Sequence, residues 1–284
     1  MRRNRRTRCL FGLLLLTLAT TAALHAQTPS PTPSLEREFF KNILRDQKAI
    51  WTAPFHLERS DAKWVIPAGI GFMALVTTDR ITGDKIFEAN RQVNASRAIS
   101  HAGSVYGLGA VATTFYLLGR KNNDYRARET GLLSAEALID SVITEAALKS
   151  ITQRARPLAG RERSEFFDGG SSFSSGHSVQ AWAVATVIAS EYKHRRAVQI
   201  AAYGIAGAVS VARFTGHKHY LSDVLAGSAL GYGIGKFVYN ARHRESLSAD
   251  DEDGGTISKS AWPLITPQFN RQAGQYGVAL TWNF

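Results

Sequence analysis

The chain has 284 residues, with 34 Lys and Arg against 23 Asp and Glu, a formal net charge of +11 at pH 7. That length admits one large domain or two small ones. Its single cysteine, Cys9, lies near the start, which excludes disulfides, a thiolate metal site and a cysteine nucleophile from the rest of the chain. No basic stripe interleaved with aromatics appears, so no nucleic-acid partner is expected.

In chain order, Arg2, Arg3, Arg5, Arg6 and Arg8 precede an apolar run from Leu10 to Ala23, and Leu24-His25-Ala26 offers an acceptable cleavage site. Residues 1–26 therefore read as an export signal; an uncleaved membrane anchor is the alternative, which so short an apolar run disfavours. Without that segment 29 basic residues face 23 acidic ones, a net +6. A cysteine-free exported chain fits a bacterial envelope compartment, where an unpaired thiol would be a liability. Residues 27–63 combine a Pro/Ser/Thr linker (27–34) with an amphipathic helix over Leu35–Ile50. Phe39, Phe40, Ile43 and Leu44 recur there at helical spacing.

Six apolar stretches rich in Ala and Gly follow: Trp64–Thr78, Ala98–Gly119, Leu132–Leu148, Ser178–Tyr192, Ala197–Ala212 and Val224–Tyr239. No strand-like alternation intervenes, so residues 64–244 are expected to form an all-α bundle of about six core helices. Small residues suit close helix packing. Only Ala98–Gly119 has the roughly 20 residues that a membrane crossing needs. The third stretch carries Glu136, Asp140 and Glu145 and cannot face lipid on that side.

Basic clusters alternate along these stretches. Arg120, Lys121, Arg126 and Arg128 form one, Lys193, Arg195 and Arg196 the next, and Lys236, Arg242 and Arg244 the third. All three would share the cytoplasmic side of a membrane. With a cleaved signal, Ala98–Gly119 is then the first crossing, and Trp64–Thr78 does not cross. The rival is a water-soluble helical globule in the periplasm. Residues 245–260 are expected to be an acidic linker. Residues 261–284 alternate as two strands around 270–275, a small C-terminal β-hairpin. One hairpin is only marginally stable alone, so it is expected to dock on the helical body, on a partner or on a second copy of the chain.

Three segments carry chemistry. Lys149 closes the third stretch, and Arg156 follows seven residues on, before Pro157. Two helical turns would aim both cations at one place. Ser175-Gly176-His177 opens the fourth stretch, where a helix N-terminus of small residues presents amides to an anion. Arg213 ends the fifth, and His219 and Asp223 stand four apart, the spacing of one helical face. An Asp so placed can fix a histidine tautomer and leave the other ring nitrogen to attack. Guanidinium forks suit phosphate oxygens. The inventory suits attack on a phosphate ester without a metal. Each piece alone also reads as ordinary surface charge or a Ser/Gly loop.

In this order and spacing the segments resemble the type 2 phosphatidic acid phosphatase superfamily, whose signature is K-x6-R-P, then P-S-G-H, then S-R-x5-H-x3-D. Lys149 through Pro157 matches the first. Ser174 replaces the Pro of the second, and Ala212 the Ser of the third. The resemblance implies the family's helical bundle, and a phosphate held by Lys149, Arg156 and Arg213 with Ser175 and the Gly176 amide. It implies His219 as nucleophile, Asp223 as its orienter and His177 as proton donor to the leaving alcohol, with no cofactor and no metal. His194 and His217 match no family position and are read as bystanders. So are Arg154, Arg161 and Arg163, which could tune substrate binding from the loop. The substrate is expected to be a phosphorylated lipid, handled at the inner membrane with the site facing the periplasm. A soluble acid phosphatase acting on small phosphate esters and a non-catalytic envelope assembly protein are the alternatives.

Overall fold

Seven helices carry the part of the chain that positions the site, in a computed structural model that describes residues 33–84, 96, 99–100, 103–157, 164–252, 264–270 and 275–281. They are α1 (Pro33–Thr52), α2 (Ala62–Asp84), α3 (Val105–Lys121), α4 (Tyr125–Thr152), α5 (Gly176–Glu191), α6 (Arg196–Thr215) and α7 (Leu221–Glu252). The expected export signal, Arg161 and Arg163 lie outside the described residues. The chain divides into two units, Met1–Asn240 and Ala241–Phe284. In the second, β1 (Leu264–Asn270) and β2 (Gln275–Thr281) pair antiparallel, with Pro267 opposite Val278.

α5 is the axis of the first unit. Its sequence is apolar or small on every side, as a helix surrounded by others must be, and from Gly176 to Glu191 only His177 and Trp182 escape full burial. One core cluster joins Leu108, Leu138, Val184, Ile188 and Val209 from α3, α4, α5 and α6. A second joins Leu133, Val179, Val187, Ile234 and Val238 from α4, α5 and α7. Along the α5–α7 seam, Gly227, Gly231 and Gly235 recur every fourth residue. A Cβ on each would strike the carbonyl oxygens of Ser175, Val179 and Ala183 respectively. The two backbones therefore touch, and this draws the start of α7 against the start of α5.

Three expectations change. The helix within Ala98–Gly119 begins at Val105, where the Ser104 hydroxyl accepts from the Gly107 amide at 3.3 Å. It has 17 residues, about 26 Å at 1.5 Å per residue, short of the roughly 30 Å hydrocarbon layer. Among the described residues the helix long and apolar enough to cross a membrane is α6, Arg196–Thr215. The acidic segment expected to be linker from 245 continues as helix through Glu252.

α1 forms where its periodicity places it, but it docks by polar residues. Asn42 and Asp46 are buried beside Ile43, while Phe40 and Leu44 are exposed. The reason lies in α4, whose buried face carries Glu136 and Asp140. Gln47 Nε2 donates to the Asp140 carboxylate at 2.9 Å, and Arg128 donates to Glu36 at 2.8 Å.

The backbone contact at the α5–α7 seam makes a prediction. Gly231→Val forces overpacking against Val179 and should cost about 1–3 kcal/mol, read as a lower melting temperature. Gly233, two residues on, has no atom within 4 Å of an added Cβ. Gly233→Ala should match or exceed wild type by up to about 1 kcal/mol.

Candidate active site

Four helix ends meet at one end of the bundle: the C-termini of α4 and α6 and the N-termini of α5 and α7. α4 stops at Thr152 because Gln153 takes a left-handed conformation, φ 43° and ψ 39°. Lys149 and Arg156 thus do not share a continuous helix. The chain turns out of α4 and runs beside residues 164–172 instead. The Ala155 amide donates to Glu165 O at 2.9 Å, Phe167 N to Thr152 O at 2.8 Å and Ser172 N to Arg154 O at 2.9 Å. Gly170 is needed there, since a Cβ would strike the Arg154 carbonyl.

This ladder delivers Ser172 to His219. The His219 ring is buried, and its Nδ1 lies 2.7 Å from the Ser172 carbonyl oxygen. A carbonyl only accepts, so Nδ1 carries the proton and Nε2 keeps its lone pair. His219 precedes α7 rather than lying on it, and its Nδ1 is 3.9 Å from Asp223 Oδ2. Asp223 instead accepts from the Ser172 hydroxyl at 2.5 Å and from the Tyr220 amide at 3.0 Å. The same serine thus binds the carboxylate with its hydroxyl and the imidazole with its carbonyl. Burial holds the His219 imidazole well below the usual histidine range, and Arg213, Arg156 and Lys149 push it the same way.

Those three cations are the ones singled out in the sequence, and all three act on His219. Arg156 and Arg213 each bury an Nε with no protein acceptor. Lys149 pairs with Glu145 one turn earlier on α4. The Glu145 carboxylate also lies against Gly176, where an added Cβ would meet it. α5 begins at Gly176, with buried Ser175 before it. The Ser175 amide donates to Asp223 O at 3.2 Å, and the Ser178 hydroxyl donates to the Ser175 hydroxyl at 3.1 Å. His177 sits half-buried in the first turn of α5. Ser174, at the family's Pro position, buries a hydroxyl with no partner.

Arg154 was read as a bystander, yet it is fully buried between two carboxylates. Its Nη2 donates to Asp79 at 2.7 Å and its Nη1 to Asp223 at 2.5 Å. Its Cζ lies over the rings of Phe166 and Tyr220, 4.8 and 4.5 Å from their centroids. Asp79, on α2, belongs to no motif. Its Oδ1 accepts the Ser222 amide at 3.2 Å in the first turn of α7. The sequence signal for this pair was present: an Asp in an apolar helix demands a partner. The partner itself lies 75 residues away.

Comparison with known proteins agrees with the signature. A family model described as PAP2 superfamily matches residues 130–246. The lipid A 1-phosphatase of Porphyromonas gingivalis is 36% identical over 69 residues, 24% of this chain and 16% of that protein's length. Two solved structures resemble the chain. Aquifex aeolicus LpxE is 19% identical, with a TM-score of 0.45, over 58% of this chain and 93% of that one. The first transmembrane PAP2 type phosphatidylglycerolphosphate phosphatase from Bacillus subtilis is 21% identical, with a TM-score of 0.44, over 79% and 99%.

A histidine buried in the neutral form makes stability depend on pH. Below about pH 6.5 the unfolded chain binds a proton that buried His219 does not. Stability from this group is therefore present above that pH and falls as pH drops towards the depressed folded value, by at most about 1.4 kcal/mol per pH unit. Melting temperatures of detergent-solubilised wild type should decline between pH 7 and 5, and His219→Gln should flatten that slope.

Proposed function

We propose that the chain is a phosphatase that removes phosphate from a phosphorylated lipid at the envelope membrane, through a phosphohistidine on His219. The observation that carries this reading is the convergence of Lys149, Arg156 and Arg213 on a buried histidine whose Nδ1 is held by a carbonyl oxygen. Three cations around a neutral nucleophile suit a dianionic phosphoryl group, whose equatorial oxygens carry the charge of the transition state. The buried Nε donors of Arg156 and Arg213 suit those oxygens as acceptors. So do the amides at the start of α5.

In this mechanism the Nε2 lone pair of His219 attacks phosphorus. An N–P bond forms as the P–O bond to the leaving alcohol breaks, and His177 gives that oxygen a proton. Water then attacks the phosphohistidine, His177 takes its proton, and the N–P bond breaks to release phosphate and restore both histidines. Fixed cations supply the charge stabilisation that a metal supplies elsewhere.

A lipid as the substrate is supported by what adjoins the site. An apolar groove of about 620 Å³ runs between α6 and α7, lined by Trp182, Gly207, Val211, Phe214, Leu225 and Tyr232, among others. It begins at Phe214, the neighbour of Arg213. The polar groups along it bond to one another: Trp182 Nε1 donates to Ser210 Oγ at 3.1 Å, and Ser210 Oγ lies 3.1 Å from Ser228 Oγ. An acyl chain fits such a surface while its phosphate reaches Arg213. Exposed Trp64, Ile66, Ile70 and Met73 on α2, with Ile200 and Val211 on α6, favour a membrane setting. α6 crosses the bilayer in this reading.

Purified protein should release phosphate from lipid A, phosphatidate or a polyprenyl pyrophosphate without added metal, and vanadate should inhibit it. His219→Ala should lower kcat by more than about 1,000-fold, and Arg213→Ala by about 100-fold to 1,000-fold. Activity that EDTA abolishes, or that survives His219→Ala, overturns the mechanism.

The groove has its own test. Gly207→Trp, which fills it, should lower kcat/KM for a long-chain lipid phosphate by on the order of 10-fold to 100-fold, since each methylene displaced from apolar surface is worth about 0.8 kcal/mol. Turnover of p-nitrophenyl phosphate should stay within about twofold. Equal loss on both substrates refutes the groove as the acyl site.

A further inference from the structure

Arg154 differs from the other cations at this end of the bundle. Arg154, Arg156 and Arg213 each leave a buried Nε without a protein acceptor, but both terminal nitrogens of Arg154 are committed to protein. Arg154 commits Nη1 to Asp223 and to Ser222 Oγ at 2.7 Å, and Nη2 to Asp79 and to Ser164 Oγ at 2.6 Å. It has no exposed surface, and it lies over the rings of Phe166 and Tyr220. A phosphate has no approach to it, so it is not a substrate ligand.

Its bonds lead instead to the histidine. Asp79 bonds Arg154, and Arg154 bonds Asp223 Oδ1. Asp223 Oδ2 accepts from the Ser172 hydroxyl, and the Ser172 carbonyl holds His219 Nδ1. We propose that Asp79 and Arg154 are positioning residues of the phosphatase: they fix the Asp223 carboxylate, and through Ser172 they fix the tautomer and angle of the attacking imidazole. This inference rests on the reading of His219 as nucleophile.

The geometry explains why arginine is needed. Its planar fork reaches two carboxylates on different elements and lies over two rings. A lysine offers a single point and no plane. Asp79 has a second task, since it also holds the Ser222 amide and accepts from the Ser222 hydroxyl at 2.5 Å. The first turn of α7, which carries Asp223, is thereby tied to α2, outside the matched segment 130–246. The positioning apparatus of this site thus extends beyond the family signature.

The test compares Asp79→Asn, Arg154→Lys and Ser172→Ala with wild type and His219→Ala on one lipid phosphate. It measures kcat, KM, inhibition by inorganic phosphate and the pH–rate profile, with melting curves to confirm folding. Arg154→Lys should lower kcat by on the order of 10-fold to 100-fold, and Asp79→Asn by about 10-fold. KM and the phosphate inhibition constant should stay within about twofold, because the anion contacts are untouched. The acid limb of the pH–rate profile should move in both, since His219 loses its fixed partner. Asp79→Asn combined with Arg154→Lys should be no worse than Arg154→Lys alone, as expected within one network.

Wild-type kcat in folded Asp79→Asn and Ser172→Ala overturns the proposal, even if Arg154 variants fail to fold. A lowered kcat with weaker phosphate inhibition and an unmoved pH profile also overturns it, because that pattern marks general loosening of the site. If His219→Ala remains active, the nucleophile reading has failed. If His219→Ala is dead while the three other variants turn over normally, only the present inference has failed.

Discussion

The buried guanidinium of Arg154 between Asp79 and Asp223 is the contact on which this end of the bundle depends. Removing one partner of such a pair strands a charge in a low-dielectric interior, at a typical cost of about 3–5 kcal/mol. Here the cost is offset on every side. Four hydrogen-bonding groups and two aromatic rings surround the cation. Asp223 is further held by Ser172 and the Tyr220 amide. The cation joins three separate pieces of chain: α2, the segment after α4, and the first turn of α7. None of these would converge through apolar packing alone, because each presents polar groups there.

The cations at this end divide by how their donors are used. Arg154 is sealed, and both its terminal nitrogens bond protein. Arg156 and Arg213 stay partly exposed. The difference comes from placement. Arg154 leaves α4 just after the left-handed residue Gln153 and is covered by residues 164–172, whereas Arg156 lies two residues on. Arg213 ends α6 at the mouth of the groove. Like charges gathered around one imidazole add to burial in keeping it unprotonated. Structure and electrostatics here share one cause, the burial of His219 amid positive charge.

Close backbone packing makes this arrangement rigid. The α5–α7 seam lets the first turns of both helices touch, so that Ser175 N–H reaches the Asp223 carbonyl. Helix N-termini carry partial positive charge, and two of them open towards the same place as the three cations. The burial of nearly all of α5 leaves its first turn little freedom to drift. The apolar groove reaches Phe214, the chain neighbour of Arg213.

Much of this was legible in the chain, because helical periodicity and fixed spacings are local properties. The all-α body and the places of its helices followed from apolar stretches separated by charges. Lys149, Arg156, Ser175, Gly176, His177, Arg213, His219 and Asp223 could be singled out because their order and spacing resemble the family signature. Local spacing misled where it assumed helix continuity: α4 ends before Arg156, and α7 begins after His219. It also misjudged α1, whose inward face is polar because α4 buries acids there. Only the tertiary structure could choose the histidine's partner and the role of Arg154. Those choices depend on which buried polar groups meet across 47 to 75 residues of chain, and a buried polar group takes its partner from space, not from sequence distance.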